Sequence, residues 1–234
     1  MKNDRRHNRS RMPTWDGVSR LLSLSSFLLV TACTGDSDVV RVGNLLFNSV
    51  AGSGLKIPRE RAAAVPYATM GLELGSSAQV LLTLGTSMGN ELDWFAGETI
   101  FVATNYGRVI RTVGLPFDLG GVHPSTMPSL PETRNIDANS ASLSFDYQDL
   151  GVFGAPAQCS RRNVGNENLE ILGASILTHH VIEHCEVPVL KWKFDNDFWV
   201  DPMSGYVWRS RQYIHPKSPP IILEVLRPEQ TDPA

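Results

Sequence analysis

The chain has 234 residues, of which 42% are hydrophobic and 19% charged, so it can bury a core and does not have the composition of a disordered chain. Its formal charge of −3 disfavours a nucleic-acid partner, because proteins that bind nucleic acids present basic surfaces. With 19 glycines and 15 prolines, it is better suited to a turn-rich β fold than to a helical bundle.

Residues 1–32 predict a secretory signal peptide. Six basic side chains lie within residues 1–20, and an uncharged apolar run follows at 21–32. As a helix this run would rise about 18 Å, which is too short for a bilayer core of about 30 Å. Met12 offers a second translation start besides Met1. Removing the segment takes away six basic but only two acidic side chains, so the remaining chain is more acidic.

The apolar run leads through Leu29-Val30-Thr31-Ala32 directly to Cys33. An aliphatic residue, small residues and then a cysteine resemble the lipobox of bacterial lipoproteins, in which the cysteine carries the lipid. We therefore predict a membrane anchor at Cys33; ordinary cleavage near Ala32 beside an incidental cysteine is the alternative. Thr34 after the cysteine predicts sorting to the outer membrane, with the protein facing the periplasm. Residues 33–44 are small and polar and predict a tether.

The chain beyond the tether predicts one short helix and then antiparallel strands. Pro58 suits the first position of a helix that ends before Pro66. From Tyr67 onward the hydrophobic period is two, which indicates strands. We predict a long loop over 115–139 because it is rich in proline and glycine. The predicted strands cover 79–84, 99–104, 108–113, 143–147, 168–173, two segments within 175–194 split at Pro188, 198–200, 206–208 and 221–226.

These elements predict an all-β fold over residues 45–228, followed by a short tail at 229–234. Because consecutive strands are joined by tight turns, such as Asn105-Tyr106-Gly107, we expect an antiparallel meander. The meander would close into a single barrel-like or sandwich-like domain.

Three residues in the histidine-rich stretch 179–184 have the spacing of a zinc-binding motif. His180, Glu183 and His184 match the H-x-x-E-H pattern of inverted zinc peptidases, which requires a helix. The flanking residues favour a strand, where the two histidines would lie about 13 Å apart. We therefore predict a polar strand face, with no metal, no cofactor and no catalytic residues.

Five aromatic and basic residues are candidate ligand contacts. Trp94, Trp199 and Trp208 are either core residues or platforms for sugar rings. Arg108 and Arg111 fall on opposite faces of one strand, where each would form an ion pair or bind an anionic ligand. The sequence alone leaves these alternatives open.

Cys159 and Cys185 are predicted to form a disulfide. Lipidation of Cys33 uses one of the three cysteines, and the remaining pair would face an oxidising compartment. The two positions flank candidate strands that a hairpin could bring together. Two separate buried thiols are the alternative.

Several short stretches of the chain together carry a family resemblance. They are Pro66-Tyr67-Ala68, Trp94-Phe95-Ala96-Gly97, Gly107-Arg108-Val109-Ile110-Arg111-Thr112, Gly114-Leu115, Asn196 to Trp199, Asp201, Gly205-Tyr206-Val207-Trp208-Arg209-Ser210 and Pro216. With these stretches the chain resembles the YjbF/GfcB lipoproteins, which are associated with group 4 capsule and exopolysaccharide production. The resemblance implies a barrel-like all-β fold and a place at the outer membrane beside polysaccharide-export proteins. It supplies no catalytic residues.

The favoured function is an accessory role in capsule or exopolysaccharide assembly or secretion, by binding a glycan or a secretion partner and without catalysis. One alternative is a carrier or sensor of acyl chains, which would need a large apolar concavity open to solvent. Another is a glycan-modifying enzyme, which would need two carboxylates about 5–10 Å apart in an open groove.

Overall fold

A computed structural model of the chain describes residues 54–124 and 140–229, which contain one short helix and twelve strands. The predicted signal peptide, Cys33 and the tether lie outside the described residues. The helix α1 spans Arg59–Ala63. The strands are β1 Thr69–Leu74, β2 Val80–Met88, β3 Glu91–Ala96, β4 Ile100–Asn105, β5 Arg108–Val113, β6 Gly121–Pro124, β7 Ser140–Tyr147, β8 Val152–Ile171, β9 Ala174–Val187, β10 Trp192–Val200, β11 Val207–Gln212 and β12 Ile221–Arg227.

The twelve strands form one antiparallel sheet that follows chain order except where its two ends meet. The first strand pairs with the last, with Leu74 opposite Ile221. β5 and β6 are the two ends of the sheet. They lie side by side, because the Thr112 N–H donates a hydrogen bond of 2.9 Å to the Leu119 carbonyl just before β6. The sheet is therefore a nearly closed barrel, which confirms the predicted all-β meander.

β1 and β3 lie outside the predicted strands, and 198–200 is the end of β10 and not a separate strand. Two further predictions need correction. The predicted loop over 115–139 contains β6, a four-residue strand that ends in Pro124 and pairs with β7. Strand β8 has 20 residues, although only 168–173 was predicted. Its sequence is polar and contains glycines, so its own pattern is weak. Pairing with β7 over 152–160 and with β9 over 158–171 holds it extended. In both cases the partner strand decides the conformation.

Alternate side chains point into the barrel and fill it. The fully buried residues include Leu72, Leu82, Trp94 and Tyr147, which pack in one continuous cluster with residues from most strands. Burying one such large apolar side chain stabilises the fold by about 1.5–3 kcal/mol. The described interior is therefore a packed core.

At one end of the barrel, the β4–β5 hairpin reaches the opposite wall. Gly107 has a φ of +76°, and a Cβ at this position would lie 2.5 Å from the Cβ of Val207 on β11. The side chain of Gln212 clamps this contact by donating to the Gly107 carbonyl and accepting from the Val109 N–H. Glycine is required here both for the backbone angle and for the close approach.

The disulfide between Cys159 and Cys185 is present, which confirms that prediction. The two cysteines face each other in register on β8 and β9, with their Cα atoms 4.1 Å apart. Both are buried.

The outer face of the barrel is partly covered by two segments. The chain around α1 lies on β1 and β12, where Arg227 donates to the Val65 carbonyl. The turn of the β8–β9 hairpin lies near β11, where Arg209 donates to the Glu170 carbonyl. In the parts of the chain that are described, no helix has the length and apolarity to cross a membrane.

Candidate functional site

Three charged residues form an interior cluster at the end of the barrel where the β4–β5 hairpin crosses. Arg108 of β5 and Arg161 of β8 both bind one carboxylate oxygen of Glu183 on β9, at 2.5 and 3.1 Å. Asn196 donates to the other oxygen of this carboxylate. Glu183 is fully buried and Arg108 nearly so. Two positive charges thus share a single negative charge.

The electrostatics of the interior cluster follow from this imbalance. Burial alone would raise the pKa of Glu183, but the charges and hydrogen bonds of Arg108 and Arg161 outweigh burial and lower that pKa. The pKa of Arg161 is also lowered, first by burial and then by repulsion from Arg108, against the attraction of Glu183. Glu183 is therefore ionised at neutral pH, and Arg161 is the less well compensated cation.

Two of the predicted ligand contacts prove to be structural residues. Trp94 lies in the core with no exposed surface, and its Nε1 donates to the Thr104 hydroxyl at 3.1 Å. Arg108 is committed to Glu183 inside the barrel. Neither presents its polar or aromatic surface to solvent, which favours the core residue for Trp94 and the ion pair for Arg108 among the alternatives that the sequence left open. The predicted opposite facing of Arg108 and Arg111 is correct, since Arg111 is exposed.

Trp199 is only partly exposed, because neighbouring strands supply partners to its ring. His180 of β9 stacks on it, with ring centroids 4.7 Å apart, and Arg209 of β11 lies 5.9 Å from its centroid. Its Nε1 donates to Glu167 at 2.8 Å. Flanked from both adjacent strands, this indole is a poor platform for a sugar ring.

The histidine-rich stretch lies on strand β9, as its flanking residues predicted. His180 contacts Asp197 at 2.8 Å, and His184 contacts Asp195 at 2.7 Å. Within the described residues, the one cluster with metal-ligating groups close together is Cys159, Glu183 and Cys185. Its two sulfur atoms are bonded to each other, so they are not available as thiolate ligands.

Trp208 lines an open groove on the outer face of the barrel, here called the Trp208 groove. Its volume is near 350 Å³. One side is α1, the other is the turn of the β8–β9 hairpin, and the end of β12 completes it. The lining residues are Arg59, Ala62, Ala63, Ile171, Leu172, Ala174, Ile176, Trp208, Val225, Leu226, Arg227 and Pro228.

The Trp208 groove combines an aromatic ring with positive charge. Arg59 and Arg227 form no ion pair with any described residue, and none of the lining residues carries a carboxylate. This contrasts with the chain as a whole, which has more acidic than basic residues. An aromatic ring beside unpaired guanidinium groups suits a ligand with an apolar face and a carboxylate or phosphate.

Arg111 lines a second cavity, near 310 Å³, where β5 meets β6; we call it the seam cavity. It contains two carboxylates, and both are engaged. Asp118 accepts hydrogen bonds from the Thr112 hydroxyl and from two backbone N–H groups. Asp149 contacts the buried His215 at 3.0 Å. These carboxylates hold the seam together and do not present a free acid–base pair.

Sequence reasoning identified Trp208 but missed its two arginine neighbours. Arg59 lies in α1 and Arg227 at the end of β12, 168 positions later in the numbering. Neither belongs to a motif, and only the pairing of β1 with β12 brings them to one groove. Whether an arginine has an acidic partner depends on the tertiary structure, so no local sequence pattern predicts that these two form no ion pair with a described residue.

Comparison with known proteins gives one family for nearly the whole domain. The family described as group 4 capsule polysaccharide lipoprotein gfcB, YjbF matches residues 43–226. The uncharacterized lipoprotein GfcB of Escherichia coli (strain K12) is 25% identical over 211 residues, covering 89% of this chain and 99% of that protein. The uncharacterized lipoprotein YjbF of the same organism is 22% identical over 197 residues, covering 80% and 87%.

A solved structure supports the same architecture. The crystal structure of the hypothetical lipoprotein YmcC from Escherichia coli (K12) superposes with a TM-score of 0.64 at 24% identity. The match covers 75% of this chain and 91% of that one. It supports the nearly closed antiparallel barrel.

Proposed function

Because this chain belongs to the YjbF family of group 4 capsule polysaccharide lipoproteins, we propose that it is an accessory component of capsule or exopolysaccharide assembly or secretion. It acts by binding an acidic glycan, without catalysis. The predicted lipid on Cys33 holds it at the periplasmic face of the outer membrane, beside polysaccharide-export proteins. The family name supports the process, and the proposed binding site is argued from this chain's own residues.

The observation that carries the proposal is the Trp208 groove. The indole of Trp208 offers a surface for the apolar face of a sugar ring, and Arg59 offers a bidentate partner for a sugar carboxylate. Arg227, whose Nη1 already donates to the Val65 carbonyl, adds a second positive charge and its remaining N–H groups. With no carboxylate in the lining, the groove repels no acidic polymer and lacks the acid pair that glycoside hydrolysis uses. Binding is therefore favoured over cleavage at this groove.

The alternative of an acyl-chain carrier receives less support. That function needs an apolar concavity that is open to solvent, whereas the described interior of the barrel is filled by core side chains and the interior cluster. The seam cavity gives little support to an enzyme, because both its carboxylates are held by structural partners.

The proposal is tested by complementation of a deletion strain. We expect the deletion to reduce secreted polysaccharide while growth stays near normal, and wild-type protein to restore it. Trp208→Ala and the double variant Arg59→Ala/Arg227→Ala should fail to restore it. Phe153→Ala and Arg162→Ala are matched controls, since both residues are exposed and lie outside the groove. Full restoration by the groove variants would reject the groove as the binding site.

The membrane anchor is tested separately. Growth with labelled palmitate should label the wild-type protein, and Cys33→Ser should lose both the label and retention in the membrane fraction. A Cys33→Ser protein that still sediments with membranes after a high-salt wash would contradict an acyl anchor.

A further inference from the structure

Among the described residues, the interior cluster contains one more positive than negative charge. Arg108 and Arg161 both contact the same oxygen of Glu183. Asn196, which also donates a hydrogen bond to Glu183, is a neutral amide. The sum of the charges is therefore one positive charge. A buried charge without a partner is costly, so this arrangement favours a bound anion.

Arg161 is the residue through which an anion can reach the cluster. Its side chain is 18% exposed, whereas those of Arg108 and Glu183 are 6% and 0% exposed. Its Nε donates to Glu183, and its two terminal amino groups have no partner among the described residues. These amino groups form the edge of the planar guanidinium that is not bound to Glu183.

The chemistry of that edge selects a monoanion with two oxygens in one plane. A carboxylate accepts two parallel hydrogen bonds from a guanidinium and carries the single negative charge that balances the cluster. A phosphate dianion would exceed that balance. We propose that Arg161, supported by the Arg108–Glu183 pair, binds a carboxylate group of a small organic acid or an acidic sugar. This site is distinct from the Trp208 groove and does not depend on the function proposed for it.

Arg161 has a matched control in the next residue. Arg162 lies on the other face of β8 and is exposed, and no hydrogen bond or ion pair joins it to another described residue. Replacing Arg161 leaves the Arg108–Glu183 pair intact and electrically balanced. Arg161→Ala should therefore fold, and thermal unfolding of each variant checks this.

The test is an NMR titration of the purified full-length protein with acetate, glucuronate, phosphate and glucose. We expect acetate and glucuronate to shift the Arg161 Nε–H signal and nearby amide signals saturably in wild type and in Arg162→Ala. Arg161→Ala should weaken this binding by about tenfold or more. Arg161→Lys should also weaken it, since lysine keeps the charge but lacks the fork. Tighter binding of glucuronate than of acetate would identify the ligand as an acidic sugar.

Four results would overturn the proposal. The first two are the absence of a saturable shift with acetate and glucuronate, and shifts with glucose as large as those with the carboxylates. The other two are tighter binding of phosphate than of the carboxylates, and binding of the carboxylates by Arg161→Ala that is as tight as by wild type.

Discussion

The interior cluster and the Trp208 groove both place two arginines near an aromatic ring, but only one of them supplies a carboxylate. In the interior, Arg108 and Arg161 share Glu183, and the ring of Phe198 lies 5.6 Å from the Arg108 guanidinium carbon. In the groove, Arg59 and Arg227 have no acidic partner among the lining residues. The difference shows that the role of an arginine depends on its surroundings and not on its residue type. A buried arginine with a carboxylate partner stabilises the fold, whereas an exposed arginine without one is available to bind a ligand.

Removing the interior carboxylate should have the largest effect. Glu183→Gln leaves the buried guanidinium of Arg108 and the partly exposed one of Arg161 without a counter-charge, so we expect the free energy of unfolding to fall by about 3–5 kcal/mol. Denaturant unfolding measures this. Glu186→Gln is the matched control, because Glu186 lies on the same strand but on the solvent side, and its midpoint should stay near wild type. Equal stability of the two variants would show that the cluster is not needed for folding.

The disulfide beside the interior cluster should have the next largest effect. It closes a loop of 26 residues, for which chain entropy predicts about 3.5 kcal/mol of stabilisation. Cys159→Ala and Cys185→Ala should each lose this amount, and the double variant little more, because the two residues act as one unit. Thiol titration of the denatured, unreduced protein should find neither cysteine free. Two reactive thiols in freshly extracted protein would refute the bridge in the cell.

A smaller effect is expected in acid, from the histidine at the seam. Burial lowers the pKa of His215, against the attraction of Asp149, so the folded state favours the neutral ring. In the unfolded chain this histidine binds a proton near pH 6.5, so its contribution to stability is complete above that pH and is lost as the pH falls toward the folded-state pKa. His184 behaves oppositely, since its hydrogen bond to Asp195 raises its pKa. NMR titration should show His184 protonating at a higher pH than His215, and the reverse order would contradict this.

The smallest effect on stability is expected in the Trp208 groove. Arg59 is exposed and unpaired among the described residues, so Arg59→Ala should change the free energy of unfolding by less than about 0.5 kcal/mol. It should nevertheless weaken binding of acidic polysaccharide in a pull-down assay. A large loss of stability without a loss of binding would place Arg59 with the interior arginines.

The sequence predicts those features of this molecule that depend on local pattern. Alternating residues predict the strands around Ile100 and Leu223, and the count of cysteines predicts the pairing of Cys159 with Cys185. Most of strand β8 was not predicted, because its extended form depends on pairing with β7 and β9. Trp94 and Trp208 are equivalent in sequence terms, yet one is a core residue and the other lines a groove. Only the closure of the barrel distinguishes them.

The pairing of β1 with β12 has a consequence for the order in which the chain can fold. Thr69 of β1 has Arg227 of β12 as its partner, so the barrel closes only when the last of the described strands is available for pairing. Until β12 pairs with β1, during synthesis and any passage across a membrane, one edge of β1 exposes unpaired backbone N–H and C=O groups. The core side chains next to this edge remain exposed to water. Such sequence-distant pairing slows folding and leaves an intermediate that can associate through its edge. A chain cut before Ile221 should therefore accumulate as aggregate or be degraded, although eleven of its twelve described strands remain.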